Sequence, residues 1–255
     1  MALELVTVPC LTDNFAFLLH EKRNNRTLLI DAPEAAPVLE ALERRGWPLD
    51  LIVLTHHHDD HVQAVPELCR ATGADVWGAK ADAHRLPPLT RQLHPGSAGS
   101  FMTEAGLVID VPGHTVGHIA IHFPDSGFVF TGDSLMAAGC GRLFEGSPEQ
   151  MWQSLSKLAA LPPETLVCSG HDYLNGNLAF AAHLEPGNAA ITSRAGKVAR
   201  LHREGLPAMP WTLAEELATN PFLRAGLPEM KAALGMEDAS DLAVFTEIRA
   251  RKDKF

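Results

Sequence analysis

Four apolar runs in this 255-residue chain end on metal-ligand side chains, and any fold it adopts has to accommodate that recurrence. LIVLTHHHDDH carries His56, His57, His58, Asp59, Asp60 and His61; VPGHTVGH carries His114 and His118; FVFTGDS carries Asp133; LVCSGHDY carries His171. If the backbone stays extended after Thr55, His56 and His58 point the same way, while Asp60 and His61 turn toward a second point as a helix begins. That arrangement suits two metal ions better than one. The competing reading of the first segment taken alone is a polar surface loop. The other three each set a histidine or aspartate at a strand end beside a glycine, where close backbone approach lets side chains converge. Imidazole and carboxylate are the ligands of zinc and similar borderline metals, and a carboxylate such as Asp133 can bridge two ions.

The runs LELVTV, FAFLLH, TLLIDA, DLIVLT, ADVWGA, LVIDV, HIAIHF, FVFTGD and TLVCSG predict several short strands in two sheets up to about residue 170. LIVL and FVF are continuous apolar runs, the pattern of strands covered on both faces, so flanking helices are expected. Candidate helices cover 37–45, stopped by Gly46, and 62–71, stopped by Gly73. A third covers 148–160, where Ser147 and Gln150 form a capping box and Pro148 takes the first helical position. After about residue 173 strand-like runs give way to alanine, leucine, lysine and glutamate at helical spacing. Thr212 with Glu215 repeats the capping-box pattern there. Ser240 can cap a last helix with Leu242, Phe245 and Ile248 on one face. The expected organisation is an α/β catalytic domain over 1–172 and an α-helical domain over 173–255.

With 31 acidic against 21 basic residues, the formal net charge of −10 opposes loose binding to nucleic acid or acidic lipid. Cys10, Cys69, Cys140 and Cys168 form no CxxC pair, which argues against a zinc ribbon or a redox dithiol and fits a cytoplasmic setting. The opening residues lack a signal-peptide pattern, and no run approaches the roughly 20 apolar residues of a membrane span. No GxSxG elbow is present, and Cys140, in GCG, reads as a small core residue rather than a nucleophile.

THHHDDH, PGHTVGH, TGDS and SGHDY, in this order and spacing, resemble the metallo-β-lactamase superfamily. More narrowly the chain resembles the glyoxalase II, or hydroxyacylglutathione hydrolase, family. That likeness covers nearly the whole chain through PCLTDNFAFLL, GCGRLFEG, NPFLR and the closing IRARKD. The resemblance implies an αββα sandwich with an α-helical C-terminal domain. It implies one metal site of His56, His58 and His114, a second of Asp60, His61 and His171, and Asp133 bridging both. Asp60 and Asp133 thereby become the catalytic carboxylates. His57, Asp59 and His118 fall outside the ligand set, and Asp31 resembles an early aspartate that supports the histidine loop.

The implied reaction is hydrolysis of S-D-lactoylglutathione and related 2-hydroxyacyl glutathiones by a metal-bridging hydroxide, the second step of methylglyoxal removal. Two metals about 3.5 Å apart lower the pKa of a shared water and polarise a carbonyl. A thiol of pKa ~8.5 leaves as thiolate without an obligatory general acid. Two divalent ions are expected, zinc first, with iron and manganese sharing the ligand chemistry. Arg249 and Lys252 match positions that bind the glutathione glycine carboxylate, and Tyr173 matches a further contact. Two positions depart from the family: Arg142 stands where a lysine is frequent, and Phe144 where a tyrosine hydroxyl contacts glutathione, a loss of about 1 kcal/mol. A monomer acting on a small molecule is expected. The alternatives are another enzyme of the superfamily, such as a lactonase, a β-lactamase or a persulfide dioxygenase, and a non-enzymatic metal-binding or RNA-binding module.

Overall fold

The computed structural model describes residues 3–100 and 102–255, with 98–100 as backbone only. The first sheet has six strands in sequence order: β1 (Glu4–Cys10), β2 (Asn14–Glu21), β3 (Arg26–Ile30), β4 (Leu51–Leu54), β5 (Asp75–Ala79) and β6 (Arg91–Leu93). From β3 to β6 the pairing is parallel. The second sheet contains β7 (Ala98–Ser100), β8 (Ala105–Asp110), β9 (Ile119–Phe123), β10 (Phe128–Gly132), β13 (Leu166–Ser169) and β14 (Trp211–Thr212), in the order β14-β13-β10-β9-β8-β7. A small hairpin, β11 (Leu135–Met136) with β12 (Gly139–Cys140), follows β10.

Side-chain alternation explains how the sheets stack. Phe15, Phe17 and Leu19 of β2 and Leu51 and Val53 of β4 face Val108, Ile121, Phe123 and Phe130 of the second sheet in one apolar cluster. The Phe17 and Phe130 rings meet at 5.4 Å. Ala16, Leu18, Ile52 and Leu54, on the opposite face of the first sheet, pack against helices α1 (Ala35–Arg45) and α3 (Val65–Thr72). The outer face of the second sheet is covered by α4 (Pro148–Ala159) and helices of the C-terminal region. The protein is thus an αββα sandwich with a helical C-terminal region. The continuous runs LIVL and FVF are buried along their whole length because each lies between two apolar layers.

Helix boundaries follow local chemistry. Gly46 and Gly73 close α1 and α3 in the left-handed region, at φ 65° and 75°. The predicted 62–71 helix is two pieces: a single turn, α2 (Asp59–Val62), precedes α3. The chain turns between them where Ala64 N donates to Ala32 O, a tertiary contact that periodicity does not register. The Ser147/Gln150 and Thr212/Glu215 capping boxes both form, opening α4 and α7 (Leu213–Thr219). The remaining C-terminal helices are α5 (Leu174–Leu184), α6 (Ala189–Arg203), α8 (Pro228–Leu234) and α9 (Asp241–Lys252). Ser240 caps α9, which buries Val244, Phe245, Ile248 and Arg249, with Leu242 at its margin. Strand structure does not stop at residue 173, since β14 returns to the edge of the second sheet beside β13. At two residues it is too short to leave a pattern in sequence.

Candidate metal centre

Parallel pairing puts strand ends that are remote in sequence at one edge. β3 and β4 run in register, so Asp31 and Thr55 emerge together; β10 and β13 do the same for Asp133 and His171. The two sheets are stitched here by Ile119 N donating to Thr55 O and Phe15 N to Gly170 O. His56 and His58 follow β4, Asp60 and His61 sit in the one-turn α2, and His114 lies in the loop between β8 and β9. The glycine at 170 is required by space: a Cβ there would stand 2.6 Å from both Asp133 Oδ1 and His61 Cε1.

His56, His58 and His114 bring ligand atoms within 4.8 Å of one another, and so do Asp60, His61 and His171. Asp133 lies between the groups, with Oδ1 3.3 Å from His61 Nε2 and Oδ2 3.3 Å from His171 Nε2 and 3.5 Å from His114 Nε2. Its Oδ1 is buried and makes no hydrogen bond. Imidazole nitrogens approach each other at 3.2 Å for His56 and His58, 3.0 Å for His58 and His114, and 3.3 Å for His61 and His171. An orphaned carboxylate oxygen amid facing nitrogen lone pairs is an arrangement that divalent cations satisfy and that hydrogen bonds alone do not. The donor set therefore fits metal ions.

Four of the five imidazoles are oriented through their other nitrogen, as metal-binding histidines generally are. His61 Nδ1 pairs with Asp31 Oδ2 at 2.8 Å, His56 Nδ1 with Thr55 Oγ1 at 3.0 Å, His114 Nδ1 with Arg142 O at 2.7 Å, and His171 Nδ1 with Asp13 Oδ1 at 2.9 Å. Asp31 sits at φ 57° and also accepts from Thr55 N and Oγ1, so it braces the histidine loop as well as ending β3. Asn14 Nδ2 donates to Asp60 Oδ2 at 3.1 Å. Asp13, Asn14 and the Arg142 carbonyl are functional elements that residue-by-residue reading passed over. The first two lie inside PCLTDNFAFLL, a segment with no metal-ligand periodicity, and a carbonyl leaves no trace in sequence.

His57, Asp59 and His118 lie elsewhere. His57 Nδ1 pairs with the buried Asp82 at 3.0 Å, and Asp59 is exposed. His118 is buried, accepts from Asp133 N at 3.1 Å, and is held well down, to about 3, by burial and by His114. Burial also keeps His56, His58 and His114 below the usual imidazole range, which favours the neutral ligand form. Burial disfavours charge on His61 and His171 too, but their carboxylate neighbours prevail: Asp133 and Asp31 hold His61 far up, and Asp133 and Asp60 lift His171 to about 10. A cation uses the same lone pairs as these protons and would displace them.

The cluster opens into a cavity of about 640 Å³ lined by Arg142, Phe144, Tyr173, Arg249 and Lys252, among others. Tyr173 is 43% exposed and stacks on His171 at 4.7 Å, so it is not a core aromatic. Phe144, 62% exposed, sets its ring 5.2 Å from that of His114 at the rim. Lys252 Nζ donates to Gly176 O at 3.1 Å. Arg249 is 7% exposed, donates through Nη1 to Cys140 O at 3.1 Å and through Nη2 to Asp253 at 2.7 Å, and lies over the Phe222 ring. Burial pushes the Cys140 thiol up to about 11, which leaves it protonated.

Two protein-family models match consecutive stretches of the chain: the metallo-β-lactamase superfamily over residues 13–171, and the hydroxyacylglutathione hydrolase C-terminus over residues 172–255. Among curated relatives, the hydroxyacylglutathione hydrolase of Fuscovulum blasticum is 69% identical over 255 residues, and that of Cereibacter sphaeroides strain ATCC 17029 is 62% identical, each covering 100% of both chains. Among solved structures, the B3 metallo-β-lactamase BLEG-1 superposes with a TM-score of 0.67 at 20% identity, covering 86% of this chain and 99% of that one. ETHE1 from Myxococcus xanthus does so at 0.65 with 24% identity, covering 98% and 90%. These structural likenesses concern the fold alone, whereas the sequence matches decide membership. The chain belongs to the hydroxyacylglutathione hydrolase family of the metallo-β-lactamase superfamily.

Proposed function

We propose that the protein is a dinuclear thioester hydrolase that converts S-D-lactoylglutathione, or a related 2-hydroxyacyl glutathione, and water into glutathione and the 2-hydroxy acid. The observation that carries this reading is a single cavity whose wall holds His58, Asp60, His114, Asp133 and His171, with His56 and His61 buried beside them, together with the cations Arg142, Arg249 and Lys252. His56, His58 and His114 would hold one ion and Asp60, His61 and His171 the other, with Asp133 shared. Zinc is the expected metal. When bound, the ions would supply a water of lowered pKa and a Lewis acid for the thioester carbonyl.

The chain's own residues do the remainder. Asp133 neutralises charge between the two groups, and Asp31, Asp13 and the Arg142 carbonyl fix the ring orientations that keep the donors convergent. Burial and Asp13 push the Tyr173 hydroxyl up to about 12, so it remains protonated and acts as a neutral hydrogen-bond donor facing the cavity. No acid is needed for a leaving thiol of pKa ~8.5. Lys252, with Arg142 and Arg249, would receive the carboxylate of the carrier. Phe144 offers only an apolar rim. All seven ligands come from one chain, which supports a monomer as the working unit. The four free cysteines accord with a reducing cytoplasmic setting, and no helix among the described residues is long and apolar enough to cross a membrane.

The deciding assay is hydrolysis of S-D-lactoylglutathione by the purified protein before and after chelation, against a coenzyme A thioester of the same acid. Turnover of the glutathione thioester that vanishes with chelator and returns with added metal is expected. Equal turnover of the coenzyme A thioester, or turnover indifferent to chelator, would overturn the proposal. Substrate binding can be tested separately. Because Arg249 is buried and bonded to Cys140 O, its removal would disturb the fold as well as the site, so Lys252→Ala is the cleaner variant. Loss of one charged contact, worth roughly 1.5–3 kcal/mol, should raise KM about tenfold or more with a much smaller change in kcat. A fall in kcat at constant KM would remove Lys252 from the binding role.

A further inference from the structure

Three cations line the cavity, Arg142, Arg249 and Lys252, and one carboxylate stands beside two of them. Asp253 Oδ1 accepts from Arg249 Nη2 at 2.7 Å and lies 3.8 Å from Arg142 Nε. Among the described residues it is the only acidic group paired with either arginine. Its position is electrostatically unfavourable in one respect. Asp253 is the C-cap of α9, where the unpaired carbonyls of the last turn already carry partial negative charge and basic residues are preferred. The last turn otherwise follows that preference, with Arg249, Arg251 and Lys252. An aspartate there has to be explained by the cations it faces rather than by the helix it ends.

Both terminal nitrogens of Arg249 already hold partners. Nη1 is committed to Cys140 O and Nη2 to Asp253, while Nε is buried without a partner. An incoming carboxylate reaching this corner therefore meets a guanidinium already neutralised by a carboxylate of the protein itself. It must displace Asp253 from Nη2, or bind beside a like charge.

We infer that Asp253 sets the affinity of the cavity for a carboxylate-bearing thiol carrier, occupying the guanidinium when the carrier is absent and weakening its hold when present. The inference rests on the glutathione-thioester reading of the site. Functionally it is a specificity-determining residue that favours product release, because glutathione retains the same carboxylates before and after the thioester is cut.

The test is glutathione binding, measured by product inhibition and by calorimetry on the metal-loaded full chain. Asp253→Asn removes the charge but keeps an amide oxygen for Arg249 to donate to. Glutathione should bind this variant about tenfold more tightly, the effect of one unit charge roughly 3 Å away at the dielectric of water, since the Asp253 side chain is 42% exposed. The salt dependence of binding should steepen with it. Asp253→Glu, which restores the charge, should return the affinity to within about twofold of the parent. Glutathione diethyl ester, whose carboxylates are uncharged, should bind parent and Asp253→Asn alike. Asp253→Ser serves the same purpose should the asparagine variant fail to fold. Unchanged or weaker glutathione binding by a folded neutral variant would overturn the inference, and so would equal tightening of the diethyl ester. A parent enzyme that turns over S-D-lactoylglutathione while the neutral variants show no tightening sinks only this inference. A parent that does not turn it over removes the functional reading and the inference together.

Discussion

Asp133→Asn is expected to reduce kcat/KM by about 10³-fold or more, with less than the full metal complement retained. Several kcal/mol of stabilisation from a bound metal are at stake, and each 1.36 kcal/mol is a factor of ten. The substitution keeps the shape of the side chain and should leave its backbone N–H bonded to His118. It removes the negative charge that lies within 3.5 Å of His61, His114 and His171, members of both proposed ligand groups. Elemental analysis of the purified variant together with steady-state kinetics checks both parts. Full metal content with kcat/KM within tenfold of the parent would show that Asp133 is not shared between the ions.

A comparable effect on stability is expected from Glu216→Ala, at a position that never touches the cavity. Glu216 of α7 is fully buried and ion-paired with Arg194 of α6, itself 2% exposed. Its other oxygen accepts from Ala138 N at 2.8 Å and Asn220 Nδ2 at 3.1 Å. Asn220 in turn donates to Met136 O and Gly139 O, and Asn177 to Ala137 O, so two asparagines of the helical region hold the β11–β12 hairpin through three of its carbonyls. Truncating Glu216 strands the Arg194 cation in the interior and releases Ala138, which sits at φ 52°. Breaking a buried pair in this way costs about 3–5 kcal/mol, or roughly 6–20 °C in Tm for a chain of this size. Because the hairpin carries Met136 and Cys140 of the cavity wall, KM should rise as well. A thermal melt decides the main point: a Tm within 2 °C of the parent would mean the pair contributes nothing. Arg194→Met combined with Glu216→Leu should lose less than Glu216→Ala alone, since no charge is then left unpaired.

These two residues mark the limits of sequence reading. Asp133 was legible because strand, glycine turn and ligand are contiguous in FVFTGDS, and the same holds for the histidines after LIVL and around VPGH. Alternation within β2 and continuity within β4 likewise announced which strands lie between layers. Glu216 reads only as an acidic residue on an amphipathic helix. Its partner is 22 positions away and the backbone N–H it satisfies is 78 away, so no local pattern records either. Arg249 shows the same limit from the other side. Its basic character and helix face were readable, whereas its burial against Phe222 and its engagement by Cys140 and Asp253 depend on which loop packs over α9.

What the amino-acid order determined by itself was therefore the chemistry available: imidazoles and carboxylates at strand ends, glycines where chains must approach, caps where helices begin. Those are short-range properties set by side-chain type and backbone conformation over a few residues. Tertiary structure alone decided how that chemistry is oriented. Asp13, Asp31, Thr55 and the Arg142 carbonyl each aim one imidazole from a separate strand or loop, and Asp253 tempers a cationic corner built from two distant segments. Hydrogen bonds and charge pairs act over 3–4 Å in space with no regard to separation along the chain, so they exist only once the sheets have stacked and the helices have closed over them.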